Sequence, residues 1–392
     1  MLRDTAIRIN APQSASPLRA LTVARLTAAE RALRVSIADA AWAAQQASST
    51  GDKALLQEVH LRAKSASSRT DAAALLKLLA KRGSWFKPAQ SIDVRLIEPR
   101  LLIVNDTLTR DLWSLGRSYW SLPFNKGYGR RLRFVVIDAF HENLIGLIGL
   151  QSPPADLACR DQLFSFPNNE KLRYINQTMD AYTVGAIPPY SALIGGKLCA
   201  GLLASDTVRQ AYWRAYAGSR SIVEGSLADQ PLVAITTTSA FGRSSQYNRL
   251  KYKERLLAQH IGETKGYGML HLERLYPEIT AVLESRGLLV SGGYGNGPKV
   301  RWQNASRAMH LLGLSNSLLL HGLKRPVYLF PLVDALAKGM SGDGFGASLP
   351  LPELDYSEFW RERWAVPRAV RVPEWSQIDP QDVLRKSIAR GQ

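Results

Sequence analysis

Short runs rich in Val, Ile and Leu are concentrated in the middle of the chain, and they set the limits on its fold. They cover residues 91–104, 131–140, 143–152, 180–187 and 231–239. Aliphatic and β-branched runs of this length, bounded by Pro, Gly and polar residues, predict β-strands. The sequence on both sides has apolar residues at helical spacing instead. We therefore predict an α+β protein, with a mixed sheet between an N-terminal and a C-terminal helical region.

The N-terminal region carries start and stop signals for three helices. Thr27 and Glu30 form a capping box in front of an Ala-rich segment, so we expect a helix from there to about Gln46. A second helix is predicted after Gly51, and a third over 72–81, capped by Thr70 or Asp71.

The remaining helices are placed by periodicity and by glycine. Within the core we expect helices over 108–120, 191–204 and 244–256, and beyond it over 272–285, 305–320 and 328–338. We divide the chain into a basic helical region 1–90, an α/β core 91–271, a helical extension 272–340, and a Gly/Pro linker with a Trp- and Arg-rich tail 341–392.

The charge balance points to a polyanionic partner. Lys and Arg number 50 against 33 Asp and Glu, a formal net charge of +17, and residues 1–90 alone carry 14 basic and six acidic side chains. Nucleic acid and an anionic membrane face are the two partners that such a surface fits. No apolar run reaches the roughly 18 residues of a membrane helix, so we favour nucleic acid and expect no membrane partner.

Cysteine and histidine usage argue against two further classes. Cys159 and Cys199 are far apart, and the six His residues show no close pairing. A disulfide scaffold and a metal site are therefore not expected, and two reduced thiols fit the cytoplasm.

The order of the predicted core elements is strand, helix, strand hairpin, strand, Gly-bearing helix, strand, helix. This is the order of the GNAT-like acyltransferase fold, and a generic α/β domain is the alternative. In a GNAT-like site, Gly195 and Gly196 would start the helix that cradles the pyrophosphate of acyl-CoA, with Lys197 beside them. Ser191 and Ile194, however, stand where that signature has a basic residue and a glycine. Acyl-CoA is accordingly a candidate cofactor that we do not favour.

Seven segments carry a resemblance to a known family. They are GLIG (146–149), ACRD (158–161), SALIGGKL (191–198), TTTS (236–239), SSQYNRL (244–250), IGETKGYG (261–268) and LHGLKRPVY (320–328). In this order and spacing they resemble the DruA family of the Druantia defence system. The resemblance implies a role in defence against phage, within a multi-gene system that includes a large helicase-like partner. Residues 247–268 are also similar to the tail of Mom-like, DNA-modifying GNAT proteins.

Two residues are candidates for catalysis if the core is an enzyme. Tyr247 sits where GNAT-like folds place the general acid, because a phenol keeps its proton at neutral pH. Asp161, next to Arg160, would form an ion pair facing the cleft. The alternatives are a half-buried packing tyrosine and a structural ion pair that ties the first turn of a helix.

Nine basic residues are candidates for phosphate contacts. Lys81 and Arg82 form a basic rim on the third helix, Lys265 lies in a Gly-rich turn, and Lys299 and Arg301 follow the Gly-rich loop 292–298. The other four lie on the predicted helix 244–256 or just before it: Arg243, Arg249, Lys251 and Lys253.

Together, the charge pattern and the resemblance to the DruA family predict an anti-phage defence subunit of DruA type that binds nucleic acid, DNA in preference to RNA. A GNAT-like acyltransferase that modifies nucleic acid or protein is the first alternative. A structural adaptor that docks a helicase partner is the second. A nuclease or transposase ranks last, since no metal-binding carboxylate cluster is visible.

Overall fold

A computed structural model describes residues 26–67, 71–167, 169–220, 231–266, 268–290 and 298–390, excluding the side chains of 66–67 and 298–299. Contacts divide the chain into two compact units, each built from two separate stretches. The smaller unit consists of Met1–Thr50 and Gly266–Leu323, and the larger of Gly51–Lys265 and Lys324–Gln392.

The larger unit is built on a seven-stranded mixed sheet. Its strands are β1 (Pro99–Ile103), β2 (Arg131–Asp138), β3 (Asn143–Gln151), β4 (Thr178–Ala186), β5 (Ala234–Thr238), β8 (Gln259–Glu263) and β9 (Pro326–Pro331). Two further strands, β6 (Lys251–Tyr252) and β7 (Arg255–Leu256), form a small separate hairpin. The order across the sheet is β1-β2-β3-β4-β5-β9-β8. Only β4 and β5 pair in parallel among these strands. The predicted α+β class with a mixed sheet is confirmed.

The helices surround this sheet or form the smaller unit. They are α1 (Ala28–Thr50), α2 (Lys53–Ser67), α3 (Ala72–Arg82), α4 (Thr107–Arg117), α5 (Ala158–Asp161), α6 (Lys171–Ile175), α7 (Gly195–Leu202), α8 (Asp206–Tyr216), α9 (Tyr276–Ser285), α10 (Pro298–Leu311), α11 (Leu336–Met340), α12 (Glu353–Trp360), α13 (Val366–Arg371) and α14 (Pro380–Arg390). A π-helical segment joins α12 to α13.

The N-terminal helix signals are confirmed where the structure describes them. The Thr27 hydroxyl accepts a hydrogen bond from the Glu30 amide at 3.2 Å, and the Glu30 carboxylate accepts one from the Thr27 amide at 2.7 Å. The Asp71 side chain caps α3 by accepting from the Ala73 amide, whereas Thr70 lies outside the described residues. In the smaller unit, α1 packs through Leu33 and Ile37 on the apolar faces of α9 and α10.

Two helix predictions are wrong, and the strand prediction over 91–104 is confirmed in part. Residues 244–256 form turns and the β6–β7 hairpin rather than a helix. Residues 326–331 form the strand β9, between β5 and β8, although a helix was expected over 328–338. The run 91–104 contributes one strand, β1, preceded by two 3₁₀ turns at Ala89–Ser91 and Val94–Leu96.

The C-terminal segment packs on the sheet unit. Tyr356 and Trp360 of α12 and Trp375 are buried in the same hydrophobic cluster as the strands β2, β3 and β4. The Tyr356 hydroxyl donates to the Lys197 carbonyl at 2.8 Å, and the Trp360 indole donates to the Ile194 carbonyl at 3.1 Å. These bonds fix the first turn of α7 from the outside. None of the helices among the described residues is long and apolar enough to cross a membrane.

Candidate functional site

A cleft opens where the two parallel strands stop pairing. β4 and β5 are hydrogen-bonded only from Thr178 opposite Ala234 to Ala181 opposite Thr237. Beyond that point a cavity of about 610 Å³ lies between the strand ends. We call it the β4–β5 cleft; it is lined by 181–186, 237–241 and 244–247, by Arg117, Trp120 and 122–125, and by Ser191, Ala192, Ile194, Gly196, Lys197 and Arg368. Its position at strand ends, beside the start of a helix, is one where ligands often bind.

The two glycines at the start of α7 have different environments. A Cβ atom on Gly195 would lie 2.7 Å from the Tyr190 carbonyl oxygen and 2.8 Å from the Ala186 Cβ, so this glycine is required for close packing of the helix on the sheet. Gly196 lines the cleft, where the three atoms nearest to a Cβ would all belong to the Gln246 side chain, the first at 3.1 Å. The residue before them, Ile194, has a left-handed φ of +60°.

Lys197, the basic residue of the predicted trio, also lines the cleft. Its Nζ donates to the Asn248 carbonyl at 2.8 Å and lies 5.6 Å from the centre of the Trp364 ring. Burial lowers the pKa of this amine below its usual value. Of the three residues predicted to bind a cofactor, Gly196 and Lys197 line the cleft, whereas Gly195 packs against the sheet.

Tyr247 is buried in the wall of the cleft. Its ring centre lies 4.8 Å from that of Tyr328, and 6% of the residue is exposed. Burial raises the pKa of its phenol far above the usual range, with the Thr237 hydroxyl opposing the shift. The phenol therefore keeps its proton at neutral pH, and it is held by a turn rather than by the predicted helix.

Asp161 is not among the residues that line the cleft. Its carboxylate accepts from the Leu157 amide at 3.0 Å and pairs with Arg160 at 2.6 Å and Lys171 at 2.8 Å. Burial alone would raise its pKa, but the hydrogen bonds from Lys171, Leu157 and Arg160 outweigh it and lower the pKa. These contacts tie the short helix α5 together and support the structural alternative.

The predicted phosphate-binding residues are spread over both units. In the larger unit, Arg243, Arg249, Lys251, Lys253 and Lys265 are exposed, and Lys251 and Lys253 lie on the β6–β7 hairpin. Arg82 pairs with Asp111 at 2.9 Å, and Lys81 lies 3.8 Å from the same carboxylate.

The smaller unit contains the last two predicted phosphate-binding residues, Lys299 and Arg301. Arg301 pairs with Glu273 at 2.7 Å and stacks 4.2 Å above the Tyr276 ring. The side chain of Lys299 and the loop 291–297 lie outside the described residues.

Sequence reasoning missed the cations that line the cleft together with Lys197. Arg117 ends α4 with its guanidinium 4.6 Å above the Phe124 ring, and Arg368 donates to the Ala192 carbonyl at 3.3 Å. No carboxylate is among the lining residues. Arg117 lay in a predicted helix and is followed closely by Tyr119, Trp120 and Phe124. That mixture of basic and aromatic residues was the available signal.

Burial shifts the titration of Arg117. Desolvation, reinforced by the nearby charge of Arg133, lowers the pKa of Arg117 to about 10 while Tyr182 opposes the shift. The side chain is still charged at neutral pH. In the described parts of the chain, no three His, Cys, Asp or Glu side chains are grouped closely enough to hold a metal ion.

Comparison with known proteins gives one consistent result. The family model described as Druantia protein DruA matches residues 51–342. The chain is 36% identical over 312 residues to the Druantia protein DruA of Escherichia coli (strain UMEA 4076-1), which covers 78% of this chain and 77% of that protein. No solved structure is significantly similar to it.

Proposed function

Because the chain belongs to the Druantia protein DruA family, we propose that it is a cytoplasmic component of anti-phage defence that binds nucleic acid, with DNA as the preferred partner. The other subunits of a Druantia system, including a helicase-like protein, are its proposed protein partners.

The charge of the β4–β5 cleft is the observation that carries this proposal. Arg117, Lys197 and Arg368 line it, and no carboxylate does. Hydroxyl and aromatic side chains make up much of the remaining wall, among them Thr238, Ser244 and Phe241. Cations with hydroxyl donors bind phosphates, and aromatic rings stack on bases. A cleft with this lining fits a nucleic-acid strand better than a neutral or a cationic ligand.

The exposed cations outside the cleft would supply the wider contact. The β6–β7 hairpin carries Lys251 and Lys253, and Arg243 and Arg249 precede it. None of these four forms an ion pair with a carboxylate that the structure describes. When such cations neutralise phosphates, the counterions condensed on the nucleic acid are released, which gives affinity that depends steeply on salt.

A DNA titration at several salt concentrations tests the proposal. We expect the full chain to bind single- and double-stranded oligonucleotides, with log K falling linearly as log [salt] rises. The double variant Lys251→Glu, Lys253→Glu should weaken binding about tenfold or more and reduce the salt slope by about 1 to 2. The variant Arg385→Glu, Lys386→Glu is the control, because it makes the same charge change at exposed positions of α14. Wild-type binding that is absent at low salt, or independent of salt, would contradict the proposal.

A GNAT-like acyltransferase is the second candidate, and the position of α7 favours it. The helix starts shortly beyond β4, at the edge of a cleft between parallel strands, and its Gly196 and Lys197 face that cleft. This is the placement that a GNAT-like fold gives to the helix that binds the acyl-CoA pyrophosphate. We rank this function second because the signature positions hold Ser191 and Ile194, so the binding loop lacks its usual basic residue and first glycine.

A further inference from the structure

The guanidinium of Arg117 carries a charge that no carboxylate of the described residues neutralises. Its Nη2 atom is buried and has no hydrogen-bond partner among the described residues. Nor does the side chain form an ion pair with any carboxylate that the structure describes. The described contact of this cation is the face of the Phe124 ring, 4.6 Å away. A partly buried cation without a carboxylate partner destabilises the protein that contains it.

Other cations surround Arg117, which increases that cost. Arg133 lies close enough to depress the pKa of Arg117, and its Nε donates to the Tyr182 hydroxyl at 3.1 Å. The amine of Lys64 lies 5.6 Å from the same Phe124 ring and donates to the carbonyls of Ser118 and Trp120, at 3.1 and 2.6 Å. Like charges in this arrangement repel each other. An anion bound at Arg117 would attract these cations and offset the repulsion between them.

The volume of the cleft limits the size of the molecule that can supply the anion. About 610 Å³ lies within the range of small-ligand sites, roughly 300–1,000 Å³. One or two nucleotides fit such a space, whereas a base-paired duplex does not. Trp120, Tyr182 and Phe241 offer aromatic surface in the wall, and a base can stack on such rings only when it is unpaired.

We propose that Arg117 is the phosphate-recognition residue of the β4–β5 cleft, and that the phosphate belongs to an unpaired nucleotide of a nucleic-acid strand. This inference rests on the proposed nucleic-acid function and adds to it the binding residue and the form of the ligand. A bound duplex would instead contact the exposed cations outside the cleft.

The experiment compares Arg117→Gln with Arg110→Gln in the full chain. Arg110 is a matched control because it lies on the same helix, α4, but is exposed and donates to the Asn105 carbonyl. Binding of a single-stranded oligonucleotide and of the matching duplex is measured by fluorescence anisotropy at several salt concentrations. For the single strand, Arg117→Gln should weaken binding about tenfold and reduce the salt slope by about 0.7, the loss expected for one charged phosphate contact. Duplex affinity should change less than about twofold, and Arg110→Gln should change neither.

Two results would overturn the inference in distinguishable ways. If wild-type protein binds DNA with a steep salt dependence but Arg117→Gln binds the single strand as wild type does, the nucleic-acid function stands and the role of Arg117 falls. The role of Arg117 also falls, and the nucleic-acid function stands, if Arg117→Gln weakens binding of the single strand and of the duplex equally. If wild-type protein binds no oligonucleotide at low salt, both the function and the inference fail.

A second measurement excludes misfolding and separates the two sources of phosphate. Because Arg117 is unpaired and repelled by its neighbours, Arg117→Gln should melt at the wild-type temperature or above it, whereas a structural arginine would lower the melting temperature when removed. Acetyl-CoA supplies phosphates from a cofactor instead. We expect it to leave the melting temperature unchanged. A rise in wild type that Arg117→Gln abolishes would assign the anion to a cofactor and overturn the proposal.

Discussion

His60 on α2 is neutral because burial penalises its charged form, and this outweighs the hydrogen bond to the Leu56 carbonyl, which favours the charged form. Its Nδ1 lies 2.6 Å from the Leu56 carbonyl oxygen, to which it must donate, and its Nε2 faces Arg325 Nη2 at 3.4 Å. Arginine can only donate, so Nε2 has to be the unprotonated nitrogen. Burial, with the charge of Arg325 as a smaller contribution, lowers the pKa of His60 to about 4. A proton added to this ring would be both desolvated and repelled.

This residue predicts part of the acid sensitivity of the protein. In the unfolded chain His60 would titrate near pH 6.5, and in the folded protein near 4. The folded state binds fewer protons between these values, so stability is highest above about pH 6.5 and falls as the pH drops towards 4. The contribution of His60 is at most about 3 kcal/mol. We expect urea denaturation of His60→Gln to show a smaller loss of stability between pH 7 and pH 4.5 than wild type. Equal losses in both proteins would contradict this assignment.

At the residue scale, sequence patterns predict contacts between residues that are close together in the chain. The capping box of Thr27 and Glu30 was predictable because both partners lie within one turn. Gly196, Lys197 and Tyr247 were placed near a cleft, and all three line it. Arg117 and Arg368 could not be found in this way. They reach the cleft from segments more than 60 residues before β4 and more than 120 residues after β5, and no local pattern records that approach.

At the scale of elements, strands with burial on both faces were the easiest to predict. Every residue of β3 is buried, and its unbroken apolar run, paired with that of β2, indicated a hairpin. The wrong helix over 244–256 has a different cause. Arg249 and Lys253 adopt left-handed φ values of +52° that reverse the chain, although neither is a residue type that signals such a turn.

The second wrong helix, over 328–338, comes from a short apolar run that suits either structure. Pro331 ends β9 but lies in the first turn of the segment predicted as helical, where proline is tolerated, so it did not exclude the helix. The apolar residues Val327, Tyr328 and Phe330 suit a buried central strand as well as a helix face. Periodicity alone does not separate these two in a short apolar run.

The packing of α7 against α12 leads to a prediction at the same scale. A Cβ atom on Gly201 would lie 2.0 Å from the Tyr356 ring, so Gly201→Ala must push α12 away from α7. We expect a loss of about 1 to 3 kcal/mol in the free energy of unfolding, measured by urea denaturation. Gly196→Ala in the same helix is the control. The three atoms nearest to its Cβ would all belong to the Gln246 side chain, at 3.1 Å or more, so a small shift of that side chain relieves the contact. This variant should be close to neutral, because alanine favours the helix over glycine. Similar losses in both variants would show that the contact with Tyr356 does not set the spacing.

At the scale of the whole molecule, the sheet unit extends beyond the region that the family model covers. The match ends at residue 342, whereas Tyr356, Trp360 and Trp375 are buried in the central cluster of the sheet. Two further residues of α14, Leu384 and Ile388, are buried against α3 and α4. The sequence patterns suggested a linker and a tail here because Gly and Pro are frequent over 341–352. The aromatic residues behind them were the indication of a core.

These contacts predict the outcome of a truncation. Removing a large buried aromatic side chain costs about 3 to 5 kcal/mol, so the loss of three approaches the total stability of a typical domain, about 5 to 15 kcal/mol. Because α12 also holds the first turn of α7 through Ile194 and Lys197, its removal would disturb the cleft as well. We expect a chain that ends at Met340 to lack a cooperative thermal transition when followed by near-ultraviolet circular dichroism. A chain that ends at Arg390 should melt as the full chain does. A cooperative transition in the shorter chain would show that the sheet unit folds without its C-terminal segment.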